Sequence, residues 1–396
     1  MLTDSDNGGG AKSFSLYLHI PYCQAKCPYC DFNSHAVASW PEDDYVRALI
    51  AEIERRAGEA PWAGRRLKTI FFGGGTPSLF RPESIAAVLG SAERNFGIES
   101  GAEVTLEANP GTVDAAKLGG MRAAGINRIS FGAQSFNEAR LKFLGRIHGA
   151  AEIREAARVA HRAGFERLNL DLIFAVPGQT VDEALDDIAE AAALCPDHIS
   201  AYNLTFEEGT AFFTEMKRGR IRPIDSDRQA EFYAAVREEL PRRGYKMYEI
   251  SNYAPPGHEA RHNLSYWRLE SYLGLGAGAH SFARAGTGVG GGRRWWNERM
   301  PGRYVEQALE GGLAEAGGET VDSTVERGEF VFLNLRLRAG FALADFEERF
   351  GESFDRVFGA RAARLFEGEL LVRDEGRIYL SERGLELADS VFAEFI

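Results

Sequence analysis

Three of the four cysteines in this chain stand together in "CQAKCPYCDFNSH", at Cys23, Cys27 and Cys30. Their spacing is C-x3-C-x2-C. On a helix, positions i, i+4 and i+7 would share one face, and the three would serve as small core residues. Pro21 precedes the stretch and Pro28 lies inside it. Pro28 disfavours helical geometry at Cys27 and removes a backbone donor. The stretch therefore reads as a loop on which three thiols converge as a chelate. Two centres suit such a set. Zinc takes four tetrahedral ligands, so His19 or His35 would have to complete a Cys3His site. An iron–sulfur cube is normally held by four thiolates. With three, one iron keeps an open coordination position, which is what a reactive metal needs. The fourth cysteine, Cys195 in "ALCPDH", reads as an ordinary buried residue at a helix end.

The bulk of the chain supports this reading. Its 396 residues, 44% hydrophobic and 26% charged, suit a globular protein with a large core. A net charge of −12 argues against a bulk nucleic-acid binder. No apolar run approaches the roughly 20 residues of a membrane span. "MLTDSDNGGGAKS" lacks the basic and apolar regions of a signal peptide, so a cytoplasmic protein is expected. In that compartment thiols stay reduced, and a tight cysteine cluster points to metal or catalysis rather than disulfides.

The elements that must position the cysteines follow a rhythm. Short apolar strands are expected at 13–20, 67–72, 102–108, 128–133, 167–173 and 198–204. Between them lie helical patterns such as "DDYVRALIAEIERRA" and "TVDEALDDIAEAAAL", with apolar residues at intervals of three and four. Strands alternating with helices imply βαβ units and a parallel sheet, here a partial (β/α)6 barrel. In such folds chemistry gathers at the C-terminal ends of the strands. The first strand leads into the cysteine loop, and the second into "GGGTP" (73–77). Glu107 and Asn109 end the third, Gln134 the fourth; Asp171 is on the fifth, Asn203 and Thr205 at the sixth. Capping of the following helices is the plainer role for any one of these groups. "GGGTP" is not a phosphate loop, because no GK[ST] follows.

Four regions are expected: a flexible tail (1–12), the barrel core (13–245), an aromatic and Gly-rich segment completing it (246–320), and a C-terminal domain (321–396). The third contains "HNLSYW" and "GTGVGGGRRWWN" (286–297), which reads as a mobile loop. The fourth reads helix, hairpin, helix over "ARAARLFEGE", "LLVRDEGRIYLS" and "ERGLELADSVFAEF", a winged-helix-like α+β order. It carries 16 acidic residues against 10 arginines and no lysine, a net charge of −6. That sign opposes DNA binding, so it reads as a lid or docking domain.

The loop resembles the signature of the radical SAM superfamily, C-x3-C-x2-C after the first barrel strand, with Tyr29 just before the last cysteine. "LYLHIPYC", "FFGGGTPS", "LEANPGT", "ISFGAQSFN", "LGRIHGA", "NLDLIFAVPGQT" and "HNLSYW…YLGLGAGAHSF" narrow the likeness. They resemble the branch that contains oxygen-independent coproporphyrinogen III dehydrogenase and the HemW haem chaperones. The likeness runs from about residue 14 to 282 and more weakly to the end.

The resemblance implies a [4Fe–4S] cluster on Cys23, Cys27 and Cys30, whose open iron binds S-adenosylmethionine (SAM). One electron from the cluster would cleave the sulfonium to a 5′-deoxyadenosyl radical. By the same likeness, Tyr17, Gly74 and Glu107 contact that SAM. In the dehydrogenase branch a second SAM lies among residues matching Tyr29, Gly75, Thr76, Gln134, Arg146, Asp171 and Thr205. Two features depart from the dehydrogenase. Its loop has a further cysteine two residues after the third, where this chain has Asp31 and Phe32. It also carries a long N-terminal extension, where only about 12 polar residues stand here. Both departures match the HemW branch, as does H-N-x-x-Y-W at His262, Asn263, Tyr266 and Trp267. His262 or Tyr266 could ligate haem iron, and Trp267 offers flat apolar surface. Equally, His262 could satisfy a backbone group while Trp267 fills the core. No C-x-x-C-H is present, so covalent haem attachment is not expected. The resemblance thus implies delivery of haem to apo-haemoproteins, membrane-associated ones among them, with an electron donor for the cluster.

Overall fold

The structure, a computed structural model, describes residues 13–285, 290–311 and 313–396. The expected tail, and the first four residues of the expected loop at 286–297, lie outside the described residues. Strands β1 (Ser13–Ile20), β2 (Arg66–Gly74), β3 (Ile98–Ala108), β4 (Arg128–Gln134), β5 (Arg167–Phe174) and β6 (His198–Asn203) pair in chain order, all parallel. Helices Glu42–Ala57, Pro82–Phe96, Ala115–Ala124, Ala150–Arg162, Val181–Ala193 and Ser226–Arg242 alternate with and follow these strands. Side chains start several of them. Thr180 accepts from the N–H of Glu183 while Glu183 reaches back, and Asp114 and Asp225 cap alone. Phe14, Leu16, Leu18, Ile70, Phe72 and Ile129 lie in the continuous core of this sheet.

The sheet extends beyond the six expected strands. A hairpin of β7 (Lys246–Glu249) and β8 (Asn252–Ala254) adds antiparallel to β6. On the opposite flank β9 (Tyr272–Leu275) joins the free edge of β1 in parallel, the seventh parallel strand. Antiparallel β10 (His280–Arg284), β11 (Gly292–Asn297) and β12 (Glu315–Val321) follow it. The order β12-β11-β10-β9-β1-β2-β3-β4-β5-β6-β8-β7 is that of a partial barrel. The expected loop over 286–297 is corrected here: its last six residues are a strand. Pairing on both edges satisfies the backbone of β11. Trp295 is buried, 6.3 Å from the Trp62 ring, with Arg56 across its face.

The C-terminal domain has the winged-helix-like order. Helix Ser323–Leu335 leads through β13 (Phe341–Ala342) to helices Leu343–Phe350 and Phe354–Glu367. The hairpin of β14 (Leu371–Asp374) and β15 (Arg377–Leu380) follows. The single helix expected over 382–395 is interrupted at Leu387, giving Glu382–Glu386 and Ala388–Ala393. Phe330, Phe341, Phe346, Phe350, Phe354 and Phe358 fill this domain, and its core continues to Leu269 and Phe282 of the barrel. At the junction, wholly buried Glu326 accepts from Arg349 at 2.6 Å. The backbone N–H of Arg338 donates to the Tyr248 carbonyl at 2.9 Å.

Candidate functional site

β1 ends at Ile20 and the chain turns directly into the cysteine loop. Tyr22–Cys23 pairs with His35–Ala36, pinning the loop at both ends. Within it the Cys30 N–H donates to the Cys27 carbonyl at 3.1 Å, a turn rather than a helix. Segments far along the chain hold it in place. Gly145 has φ +68°, and a Cβ there would lie 2.6 Å from the Pro28 ring. Asn33 donates to the Ala277 and Arg299 carbonyls, each at 3.0 Å. Beside the loop, the glycine turn ending β2 approaches as closely. Gly74 has φ +114°, and a Cβ on it would meet the His19 ring at 2.5 Å.

Every cysteine sulfur has a polar neighbour. Arg146 donates to Cys27 Sγ at 3.2 Å and Thr76 Oγ1 to Cys23 Sγ at 3.5 Å; Ser34 Oγ lies 3.9 Å from Cys30 Sγ. Burial pushes the Cys23 and Cys30 thiols up, with these bonds opposing it. All three cysteines face one cavity of about 1100 Å³. So do Tyr29, Gly74, Gly75 and Thr76 on the loop side, and Glu107, Gln134, Arg146, Asp171 and Thr205 on the barrel side. The strands bring this set together because inward residues recur at a period of two. The same period brings in five residues not singled out from the sequence: Arg128, Ser130, Asn169, His198 and Ser200. Arg128 lies two before Ser130, Asn169 two before Asp171, and His198 two before Ser200; all line the cavity. Asn169 donates to Asp171 at 2.9 Å and to Ser130 at 2.7 Å, and meets His198 Nδ1 at 2.6 Å. The period-2 alternation in "RISFGAQ", "RLNLDLIF" and "HISAYN" is the signal that finds them.

Two carboxyl groups share this interior. Burial, then the nearby Asp171 charge, raise the Glu107 pKa to about 8, opposed by the Gly74 N–H that donates to it at 3.1 Å. Burial also raises Asp171. Glu107 is therefore protonated at neutral pH, and a cation placed beside it would favour its ionised form.

Tyr17 does not line this cavity. With Glu107 and Gly74 it lines a second one of about 430 Å³, which also takes in Tyr266 and His280. His19 Nε2 meets the Asn33 carbonyl at 2.8 Å, so that nitrogen carries the proton and Nδ1 accepts from Tyr17 Oη at 3.0 Å. Burial lowers the His19 pKa to about 4. Both its nitrogens are engaged, which leaves it no lone pair for a zinc ion. Among the described residues, no three His, Cys, Asp or Glu side chains gather closely enough to hold a single ion. The loop does fit a cluster: three sulfurs face one space, a donor beside each, and the Gly74–Thr76 turn lines the same cavity.

His262 lies on the helix Arg261–Trp267 and is 1% exposed. Its Nδ1 meets Thr69 Oγ1 at 2.8 Å and its Nε2 meets Tyr266 Oη at 2.9 Å. The ring stacks on Phe71 at 5.1 Å, and burial lowers its pKa to about 3. Here the imidazole is a satisfied core group, and iron ligation would require one of those bonds to open. Trp267 differs: its Nε1 is buried without a partner among the described residues, and the Arg336 guanidinium lies 4.3 Å from its ring. Cys195 is corrected from buried to exposed. It sits in a turn at φ +51° after its helix has ended, not on the helix's inner face.

Geometry and likeness agree on the class. Residues 17–191 match the Radical SAM superfamily and residues 321–387 the HemN C-terminal domain. The solved coproporphyrinogen III oxidase (HemN) from Escherichia coli, a radical SAM enzyme, superposes with a TM-score of 0.82 at 24% identity, over 97% of this chain and 90% of that one. This is a radical SAM protein with the HemN fold, and that superfamily implies a [4Fe–4S] cluster and SAM. Among its relatives, the haem chaperone HemW of Bacillus subtilis is 36% identical over 96% of this chain and 99% of its own length. That of Escherichia coli is 45% identical over 67% of this chain and 69% of its own. The chain belongs to the HemW haem chaperone family of the radical SAM superfamily. No helix among the described residues is long and apolar enough to cross a membrane.

Proposed function

We propose that this chain binds haem and hands it to apo-haemoproteins, membrane-associated ones among them, in the cytoplasm. A [4Fe–4S] cluster on Cys23, Cys27 and Cys30, with SAM beside it, supports that task. The observation that carries the reading is the end-to-end likeness to haem chaperones in Bacillus subtilis, joined to a loop that continues from Cys30 as Asp31-Phe32 with no further cysteine. When bound, the cluster supplies a single electron to SAM, so an electron donor must dock. Tyr17, Gly74 and Glu107 hold the first SAM. The glycine turn brings backbone close to its charged end, and Glu107 holds or releases a proton as the cation arrives. Arg146 stands between Cys27 and the Gly132 carbonyl, 2.9 Å away, and fixes the loop to β4.

A second reading, oxidative decarboxylation of coproporphyrinogen III, is favoured by one observation. Tyr29, Gly75, Thr76, Gln134, Arg146, Asp171 and Thr205 all line the main cavity, matching the second SAM set of the dehydrogenase branch. One assay separates the two. The reconstituted protein is incubated anaerobically with reductant, SAM and coproporphyrinogen III, and in parallel with haem and an apo-haemoprotein. Haem transfer without decarboxylation is expected; formation of protoporphyrinogen would replace the chaperone reading with the enzyme.

A further inference from the structure

The main cavity does not end at the barrel. Its far wall comes from the helix Ser226–Arg242, the turn between β7 and β8, and residues Leu385–Ser390 of the C-terminal domain. Tyr202, Tyr233, Ile250 and Leu385 give that wall apolar surface, with Glu386 and Asp389 exposed beside them. A pocket for one small ligand holds roughly 300–1,000 Å³. At about 1100 Å³ this cavity has room for a second molecule beside SAM.

Arg336 reaches this wall from the end of the helix Ser323–Leu335. Its neighbours at the junction are paired: Arg349 with Glu326, Arg294 with Glu329, Arg338 with Glu382. Arg336 Nε is buried with no hydrogen-bond partner among the described residues. The buried carboxylate that feels its charge, Glu249, accepts from Asn252 on Oε1 and leaves Oε2 unbonded, yet among the described residues no ion pair joins it to Arg336. The guanidinium carbon lies over the Trp267 ring, 4.3 Å from its centre. A guanidinium nitrogen buried without a partner is costly, and a guanidinium that lines a cavity presents a fork matched to a carboxylate. Apolar surface around such a fork suits a flat, apolar molecule with carboxylates on its rim.

We propose that Arg336 is the carboxylate clamp for haem, taking a propionate at the junction between barrel and C-terminal domain, with its guanidinium over the Trp267 ring. This rests on the haem reading above and assigns that function a binding residue from the C-terminal domain.

The test titrates the full-length protein, monitored in the Soret band, with haem, with haem dimethyl ester, and with metal-free coproporphyrin III. Wild type should bind haem about tenfold more tightly than the diester, the worth of one charge-assisted pair. Arg336→Gln should weaken haem binding by about the same factor and abolish the preference for the free acid, while Arg336→Lys keeps part of it. The diester comparison needs only the wild type, so a folding defect in a variant does not blunt it. Equal binding of haem and diester by the wild type overturns the clamp and leaves the chaperone reading standing. Binding of coproporphyrin III that depends on Arg336, with no haem binding, overturns the chaperone reading and makes Arg336 a clamp for a porphyrin other than haem. Binding of neither carboxylated porphyrin removes both.

Discussion

The cysteine loop and the HNxxYW helix both carry side chains able to ligate a metal, yet the fold treats them in opposite ways. The loop turns three sulfurs toward a cavity, each with a polar neighbour. The helix turns His262 inward, bonds both its nitrogens and stacks it on Phe71. Its last residue, Trp267, lies under the guanidinium of Arg336, whose Nε has no hydrogen-bond partner among the described residues. Residue type alone does not mark a ligand; what marks it is whether the reactive atom faces an open cavity or is locked into the core by bonds to its neighbours.

The largest expected effect breaks the loop side. Cys23→Ala, Cys27→Ala or Cys30→Ala should each abolish the visible absorbance of the reconstituted cluster, whereas Cys195→Ala, exposed and elsewhere in the fold, should leave it intact. Loss on Cys195→Ala would overturn the three-ligand loop.

Glu107 stands between the two motifs and lines both cavities. In the folded chain it keeps its proton up to about pH 8, against 4.5 in the ordinary carboxyl. The folded state therefore binds more protons between those values, and stability falls as pH rises through them. Against Glu107→Gln, the apo wild type should lose on the order of 3 kcal/mol between pH 5 and pH 8. Urea midpoints of the two proteins across that range measure it, and parallel curves would remove the raised carboxyl.

On the helix side, His262→Ala leaves Thr69 and Tyr266 without their shared partner. It should cost about 2–3 kcal/mol of folding stability. Chemical denaturation of the apo protein reads this directly, and an unchanged midpoint would mean that the imidazole is not a structural group.

The smallest effect sharpens the loop side. Gly145→Ala forces a left-handed backbone and a 2.6 Å approach to Pro28. It should cost about 1–2 kcal/mol and lower the iron bound per chain on reconstitution. Full iron occupancy would show that the loop does not need this support.

The six barrel strands were legible because alternation, apolar runs and terminal Gly or Pro agree at each of them. β9 was not: four residues including a glycine carry little periodic signal, and only the exposed edge of β1 makes them a strand. β11 was read as a loop from its glycines, but Trp295 finds Trp62 and the arginines only in the folded chain. The cysteines were legible from spacing and prolines. Arg336 was not, because nothing in its neighbourhood of the sequence announces Trp267, roughly seventy positions earlier.

The fastening of Asn33 to Ala277 and Arg299 has a consequence in time. A ribosome releases the cysteines early, but the carbonyls that hold their loop emerge some 250 residues later. The loop therefore gains its last fastening only once translation has passed the HNxxYW helix and the strands that follow it.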